Sequence, residues 1–186
     1  MWLADNAVMP DLLSALVEQR RLGHERLLGA VHDLTDEQLR WRPGPHAPAI
    51  GFHLFHVSRW ADRDRSIIGG GEEIWAEKKL ASSWELQSAD LGDTGTGMGI
   101  GDEASEQLVL PPQEQLVAYA EEVFSALDAF IATVNAERLS QMTRPPDLER
   151  RTVQESIFGH LAHDNRHLGM IEALRGVLGL RGSATL

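Results

Sequence analysis

Cysteine is absent from all 186 residues, which excludes disulfides, thiolate metal ligands and a nucleophilic thiol borne by the protein itself. Any thiol chemistry must then draw on an outside thiol. Basic residues are scarce as well: 17 Lys and Arg stand against 28 Asp and Glu, for a formal net charge of -11. That sign repels phosphate backbones and anionic membrane surfaces, so neither nucleic acid nor membrane is expected as a partner. No segment approaches the roughly 18 uncharged apolar residues of a membrane span, and MWLADNAVMPDLL has no basic stretch leading into a long apolar core. The expectation is a cytoplasmic protein. Clean alternation of apolar and polar residues is also missing, and with it the signal for strands.

What remains is ordinary globular material, 42% hydrophobic and 24% charged. A chain of this length buries about 70% of its unfolded surface as one domain, here spanning 1–186. Leu13, Leu16, Leu27, Ala30 and Leu34 share a helical stripe that predicts a first helix from about Asp5 to His32, with Gly23 a weak point inside it. Thr35 with Gln38 forms a capping-box pattern for a short turn, and Pro43, Pro45 and Pro48 then break the chain. Pro48 is suited to the first position of a second helix running to about Ile68, and Gly69, Gly70 and Gly71 end it. A third helix starts at Pro111 or Pro112, with Leu116, Ala120, Val123, Leu127, Phe130 and Val134 on one side. The fourth opens on a second capping box, Thr152 with Glu155, and runs to about Leu178. The class is all-α, and a four-helix bundle is the economical architecture.

Between the second and third helices lies an insertion of about 40 residues. A short helix at GEEIWAEKK is followed by a Gly-rich stretch, with five glycines from Gly92 to Gly101. A loop this long in a compact domain is commonly functional. Its glycines do not fall in a dinucleotide-binding register and no strand precedes them, so a phosphate cradle is not expected.

Histidine is the unusual residue. Five of the eight, His53, His56, His160, His163 and His167, sit in two short segments. At about 100° per residue, the three on the fourth helix fall within a sector of about 60°. That sector coincides with the apolar run Val153, Ile157, His160, Asp164, His167, Ile171 and Leu174, so these imidazoles point toward the bundle interior. His53 and His56 lie one turn apart on the second helix, beside Ile50, Leu54, Val57 and Trp60. A lone histidine on an apolar face is ordinarily a hydrogen-bonded core residue. Burying several without partners costs on the order of 1–3 kcal/mol each, whereas one divalent cation satisfies three together. His163 and His167, four apart, have the spacing at which two imidazoles on one helix reach the same ion. A third ligand from an adjacent helix would leave the open coordination position that catalytic sites need. The same segment resembles the zinc-peptidase pattern HExxH with Asp164 in place of Glu, but Asp reaches poorly and no distant third ligand follows. Asp164 suits equally the role of a carboxylate that orients a metal-bound imidazole and that of a helix carboxylate paired with an Arg.

The segment Ile50-Gly51-Phe52-His53-Leu54-Phe55-His56-Val57-Ser58-Arg59-Trp60-Ala61-Asp62 resembles the first signature of the DinB superfamily of DinB/YfiT-like metalloenzymes, SIGWHLxHxxRWED. The second signature, HxxxHxGQI, is matched by His163, His167, Gly169 and Ile171, with Met170 in place of the common Gln. LTDEQLRWRPGPHAPAIG is similar to the family's link between the first two helices. This resemblance implies a four-helix bundle with a three-histidine metal site at His56, His163 and His167, and it leaves His53, His160 and Asp164 as flanking or pocket residues. It also implies a divalent ion, Zn or Ni foremost, and relatives that act as transferases or isomerases with low-molecular-weight thiols on small-molecule electrophiles.

Three readings follow from the sequence. The first is a metal-dependent transferase using an external thiol, with the Gly-rich loop helping to close the pocket. The second is a metal- or ligand-binding stress protein without turnover. The third is a structural bundle with a hydrogen-bonded histidine core. Trp75 and Trp84 in or beside the insertion, taken as exposed surface, together with the resemblance, lead to the expectation of a homodimer.

Overall fold

The computed structural model describes residues 12–86, 91–143 and 151–182, and every regular element among them is helical. In chain order these are α1 (Leu12–Gly29), α2 (Asp36–Arg40), α3 (Ile50–Gly69), α4 (Ile74–Glu77), α5 (Leu80–Ser83), α6 (Asp102–Gln107), α7 (Gln113–Ile131), α8 (Ala136–Ser140) and α9 (Val153–Val177). The four long helices pack together: α3 lies against α7 and α9, and α1 lies against the same two.

Local chemistry sets most of the boundaries. Both capping boxes form, with Thr35 and Gln38 opening α2 and Thr152 and Glu155 opening α9, so each satisfies otherwise orphaned N–H groups. Pro112 caps α7. The second long helix begins two residues later than Pro48 suggests, because Ala49 is still extended and its carbonyl accepts the first helical bond, from His53. The first long helix ends at Gly29 and passes into a turn instead of reaching His32. Its expected beginning, before Leu12, lies outside the described residues.

α3 is the central element. No residue from Ile50 to Arg59 is exposed, and all but Trp60 in the run to Asp62 are buried, so the helix is enclosed on every side rather than along one stripe. Gly51 makes part of this enclosure possible, since a Cβ there would stand 3.2 Å from the Leu39 carbonyl oxygen of α2. Leu27, Leu54, Phe55, Leu127, Ile157 and Ile171 fill the space between the long helices. Each such side chain contributes about 1.5–3 kcal/mol relative to exposure to water.

The segment between α3 and α7 contains three short helices among its described residues, the first of them, α4, within the expected GEEIWAEKK helix; residues 87–90 lie outside the described set. It folds back on the bundle. Trp75 is buried and meets Phe55, Trp84 and Tyr119 with ring centroids 5.7, 5.3 and 5.8 Å away. These tryptophans therefore close an internal aromatic cluster and do not form the exposed surface from which a dimer was inferred. Asp62 anchors the same segment by accepting from the backbone N–H groups of Ile74 and Trp75, at 2.9 and 2.8 Å. No helix among the described residues is long and apolar enough to cross a membrane.

Candidate metal centre

The packing of α3 on α9 brings His56, His163 and His167 together. One ring nitrogen from each lies within 4.8 Å of the other two. His56 Nε2 and His163 Nε2 are 3.1 Å apart, close to the roughly 3.3 Å expected of two nitrogens that share a tetrahedral ion at about 2.0 Å. The three rings nearly touch, with centroid separations of 4.5, 4.8 and 5.1 Å. Each offers nitrogen and none offers negative charge, a donor set that suits Zn, Ni, Cu, Fe or Co.

The surroundings hold the His56 ring with one nitrogen free to face an ion. His56 Nδ1 donates to the Thr96 carbonyl at 2.8 Å, which leaves the Nε2 lone pair aimed at His163. Thr96 belongs to the Gly-rich stretch, and Arg59 Nε donates to the neighbouring Gly95 carbonyl at 3.0 Å, so two side chains of α3 hold this loop over the site. Gly97 at φ +83° is required there: a Cβ would press on the Phe52 ring at 2.8 Å and stand 3.9 Å from His56 Nδ1. Burial pushes His53 and His56 down to about 4 and His167 down to about 2, so at neutral pH these imidazoles are uncharged. Mutual repulsion with neighbouring histidines and the charge of Arg166 add to the effect at His56 and His167.

The flanking residues take three different positions. His53 Nδ1 lies 3.0 Å from His167 Nδ1, where either ring can donate; donation by His167 leaves its Nε2 free for an ion. His160 sits apart from the triad, its ring centroid 6.1 Å from that of His163. Its Nε2 is 3.4 Å from Asp64, a fully buried carboxylate that also accepts from Ser156. Asp164 points toward α1: its carboxylate is 3.7 Å from His163 Nδ1, 3.5 Å from His24 Nε2 and 3.8 Å from Arg20. Burial opposes ionisation of Asp164, but the adjacent imidazoles of His163 and His24 and the charge of Arg20 outweigh it and hold the carboxyl far below the usual range.

This last network escapes a reading by apolar periodicity. The stripe on α1 jumps from Leu16 to Leu27, and the two intervening turns are filled by Arg20 and His24, both buried. His24 Nδ1 is 2.7 Å from Asp128 of α7, and its ring stacks on Phe124 at 4.1 Å. Burial lowers the His24 pKa, yet Asp128 and Asp164 reverse that and leave it raised. The gap in the stripe was the available signal: polar side chains at helical spacing in an apolar face are buried with partners. The Thr96 carbonyl had no signal in the sequence at all.

His163 reaches a cavity of about 500 Å³ that runs between α3, α9 and the Gly-rich stretch. Its wall includes Trp60, Ile67 and Met98 on the apolar side, and His160 beside His163. The triad thus has one corner at a space large enough for a small organic molecule. Met170, which departs from the common Gln, points away and is exposed.

Comparison with known proteins agrees with this architecture. The family model described as the DinB superfamily matches residues 19–171. A conserved protein of Enterococcus faecalis aligns with a TM-score of 0.76 and 18% identity, over 90% of this chain and 98% of its own. YfiT from Bacillus subtilis, described as a probable metal-dependent hydrolase with an unusual four-helix bundle topology, aligns with a TM-score of 0.59 and 14% identity, over 96% of this chain and 94% of its own. No curated protein matches the sequence.

Proposed function

The chain belongs to the DinB superfamily, and from that premise we propose that it is a divalent-metal-dependent enzyme whose ion is held by His56, His163 and His167. The observation that carries this reading is the convergence of three ring nitrogens within 4.8 Å, one of them at the wall of a cavity. Zn or Ni is the ion we favour, because neutral imidazoles suit both. A divalent ion there would act as a Lewis acid, lowering the pKa of an incoming thiol or water. Around it, Thr96 and His53 orient ligand rings, the Asp164 carboxylate lies 3.7 Å from His163, and Trp60 and Met98 line the space.

For the reaction we favour transfer of an external low-molecular-weight thiol to a small electrophile, which agrees with a chain that carries no cysteine of its own. A hydrolase is the second reading, supported by the description of the Bacillus subtilis neighbour; a metal-binding stress protein without turnover is the outcome if neither chemistry occurs. Elemental analysis of untagged protein, followed by parallel assays with thiol plus electrophile and with ester or amide substrates, tests all three. About one ion per chain and thiol-dependent turnover are expected. Background metal, with added Zn neither binding nor raising the melting temperature, refutes the site; turnover of esters without thiol refutes the transferase. We also propose a homodimer, which sedimentation at micromolar concentration checks, a monomer being the contrary result.

A further inference from the structure

The chain is strongly acidic, with 28 Asp and Glu against 17 Lys and Arg, yet the cavity beside His163 inverts that balance. Arg63, Arg151 and Arg166 all line it, and no Asp or Glu does among the described residues. Arg63 comes from α3, Arg166 from α9, and Arg151 from the residue before the Thr152 cap, so separate elements converge on one mouth. Arg63 Nη1 is 3.7 Å from Glu73, but Glu73 is engaged more closely by Arg59, at 2.7 Å. Arg151 Nη1 lies within ordinary van der Waals distance, 3.9 Å, of where a Cβ would stand on Gly159 of α9. Arg166 is exposed at the rim, and its charge is felt by His56 and His167 in the interior. Asp64, behind this part of α3, is buried and is engaged by Ser156 and, at 3.4 Å, by His160.

Much of the remaining lining is apolar. Ile67 is almost fully buried, Trp60 is half-buried, and Met98 presents its side chain from the Gly-rich stretch with 47% exposure. Guanidinium forks match the geometry of carboxylate and phosphate oxygens, and a cationic mouth in an acidic protein concentrates anions where they are needed. A space of about 500 Å³ suits a molecule of modest size.

We propose that the cavity binds a small organic anion, with its oxyanion group held by Arg63, Arg151 and Arg166 and its apolar body laid along Trp60, Ile67 and Met98 toward His163. The inference deepens the enzymatic reading and rests on it for the identity of the reacting end; the anion site itself belongs to the arginines. The shared chemistry is an oxyanion on an apolar body, and carboxylate and phosphonate probes separate its two sources.

Calorimetric titration of the Zn-loaded protein with phenylbutyrate, phenylbutylphosphonate and the uncharged phenylbutanamide tests this, with zinc content measured on the same samples. Phenylbutyrate or phenylbutylphosphonate is expected to bind about tenfold tighter than the amide, a preference that weakens with salt. Arg166→Gln and Arg63→Gln are each expected to reduce that preference several-fold, and the triple variant that adds Arg151→Gln to abolish it. Equal binding of acid and amide, or no binding of any probe, overturns the proposal. A preference for the acids that survives the triple variant also overturns it, because the anion is then held by something other than these arginines. Should the samples hold no zinc while the arginine-dependent preference remains, the anion site stands and the metal assignment falls.

Discussion

Zinc affinity should depend unusually little on acidity. An imidazole with the ordinary pKa of 6.5 is about 97% protonated at about pH 5, so each such ligand would weaken the ion by about 30-fold and two would weaken it by about 1000-fold. His56, pushed down to about 4 by burial, and His167, pushed to about 2, remain neutral there, and proton competition at these two ligands reduces affinity by only about 1.1-fold. The compensation appears in folding. Between the unfolded value of 6.5 and the folded value of about 4, His53 and His56 bind protons in the unfolded chain and not in the folded one. Their effect on stability is absent above the unfolded value and grows unfavourable as pH falls toward the folded one, reaching about 2 kcal/mol for each at about pH 5. Both are almost fully buried, at 5% and 8% exposure, so solvent screening does little to reduce this. The assay is Zn titration against a chelator of known proton affinity from about pH 7 to 5, with circular dichroism confirming that the chain is folded at each point. The third ligand can add at most one decade of affinity per pH unit. A slope of two decades or more between about pH 5 and 6 would mean that His56 or His167 titrates like an exposed imidazole, and the argument from burial fails.

Other outcomes follow from single contacts. Replacing His56, His163 or His167 by Ala should abolish tight metal retention, whereas His53→Ala and His160→Ala should weaken it by about 10–100-fold; loss of the ion in His160→Ala with retention in His167→Ala would move the centre one turn along α9. Gly97→Ala combines a positive φ with a clash against Phe52. It should lower stability by about 1–3 kcal/mol and loosen zinc by drawing the Thr96 carbonyl off His56, and thermal melting with and without zinc reads both effects. Asp62→Ala removes an acceptor shared by two backbone N–H groups, Arg59 and the Tyr119 hydroxyl. A loss of about 3–5 kcal/mol in denaturant unfolding is expected, and a loss under about 1 would show that the buried arginine has other support.

The long helices and the two capped starts were legible because their causes are local. Thr35 with Gln38 and Thr152 with Glu155 cap their helices through contacts three residues apart, and the run from Val153 to Ile171 reports its buried face by spacing alone. The same locality placed His163 and His167 within reach of one ion. Apolar periodicity read Arg20 and His24 less well, since it counts polar residues as solvated, and these two are buried by partners on α7 and α9.

Which histidine of α3 completes the triad was a different kind of question. His53 and His56 are both buried and one turn apart, and each touches a histidine of α9: His53 meets His167 at 3.0 Å, and His56 meets His163 at 3.1 Å. Their order depends on the rotation and height of α3 against α9, which no spacing within either helix encodes. The family pattern supplied His56; the geometry supplies a reason, since Thr96 takes the other nitrogen of that ring alone. That carbonyl comes from a stretch 40 residues away. Sequence fixes what a helix presents on each face, because side chains follow the backbone repeat. Where two such faces meet, and which loop carbonyl reaches them, is decided only by packing the whole chain at once.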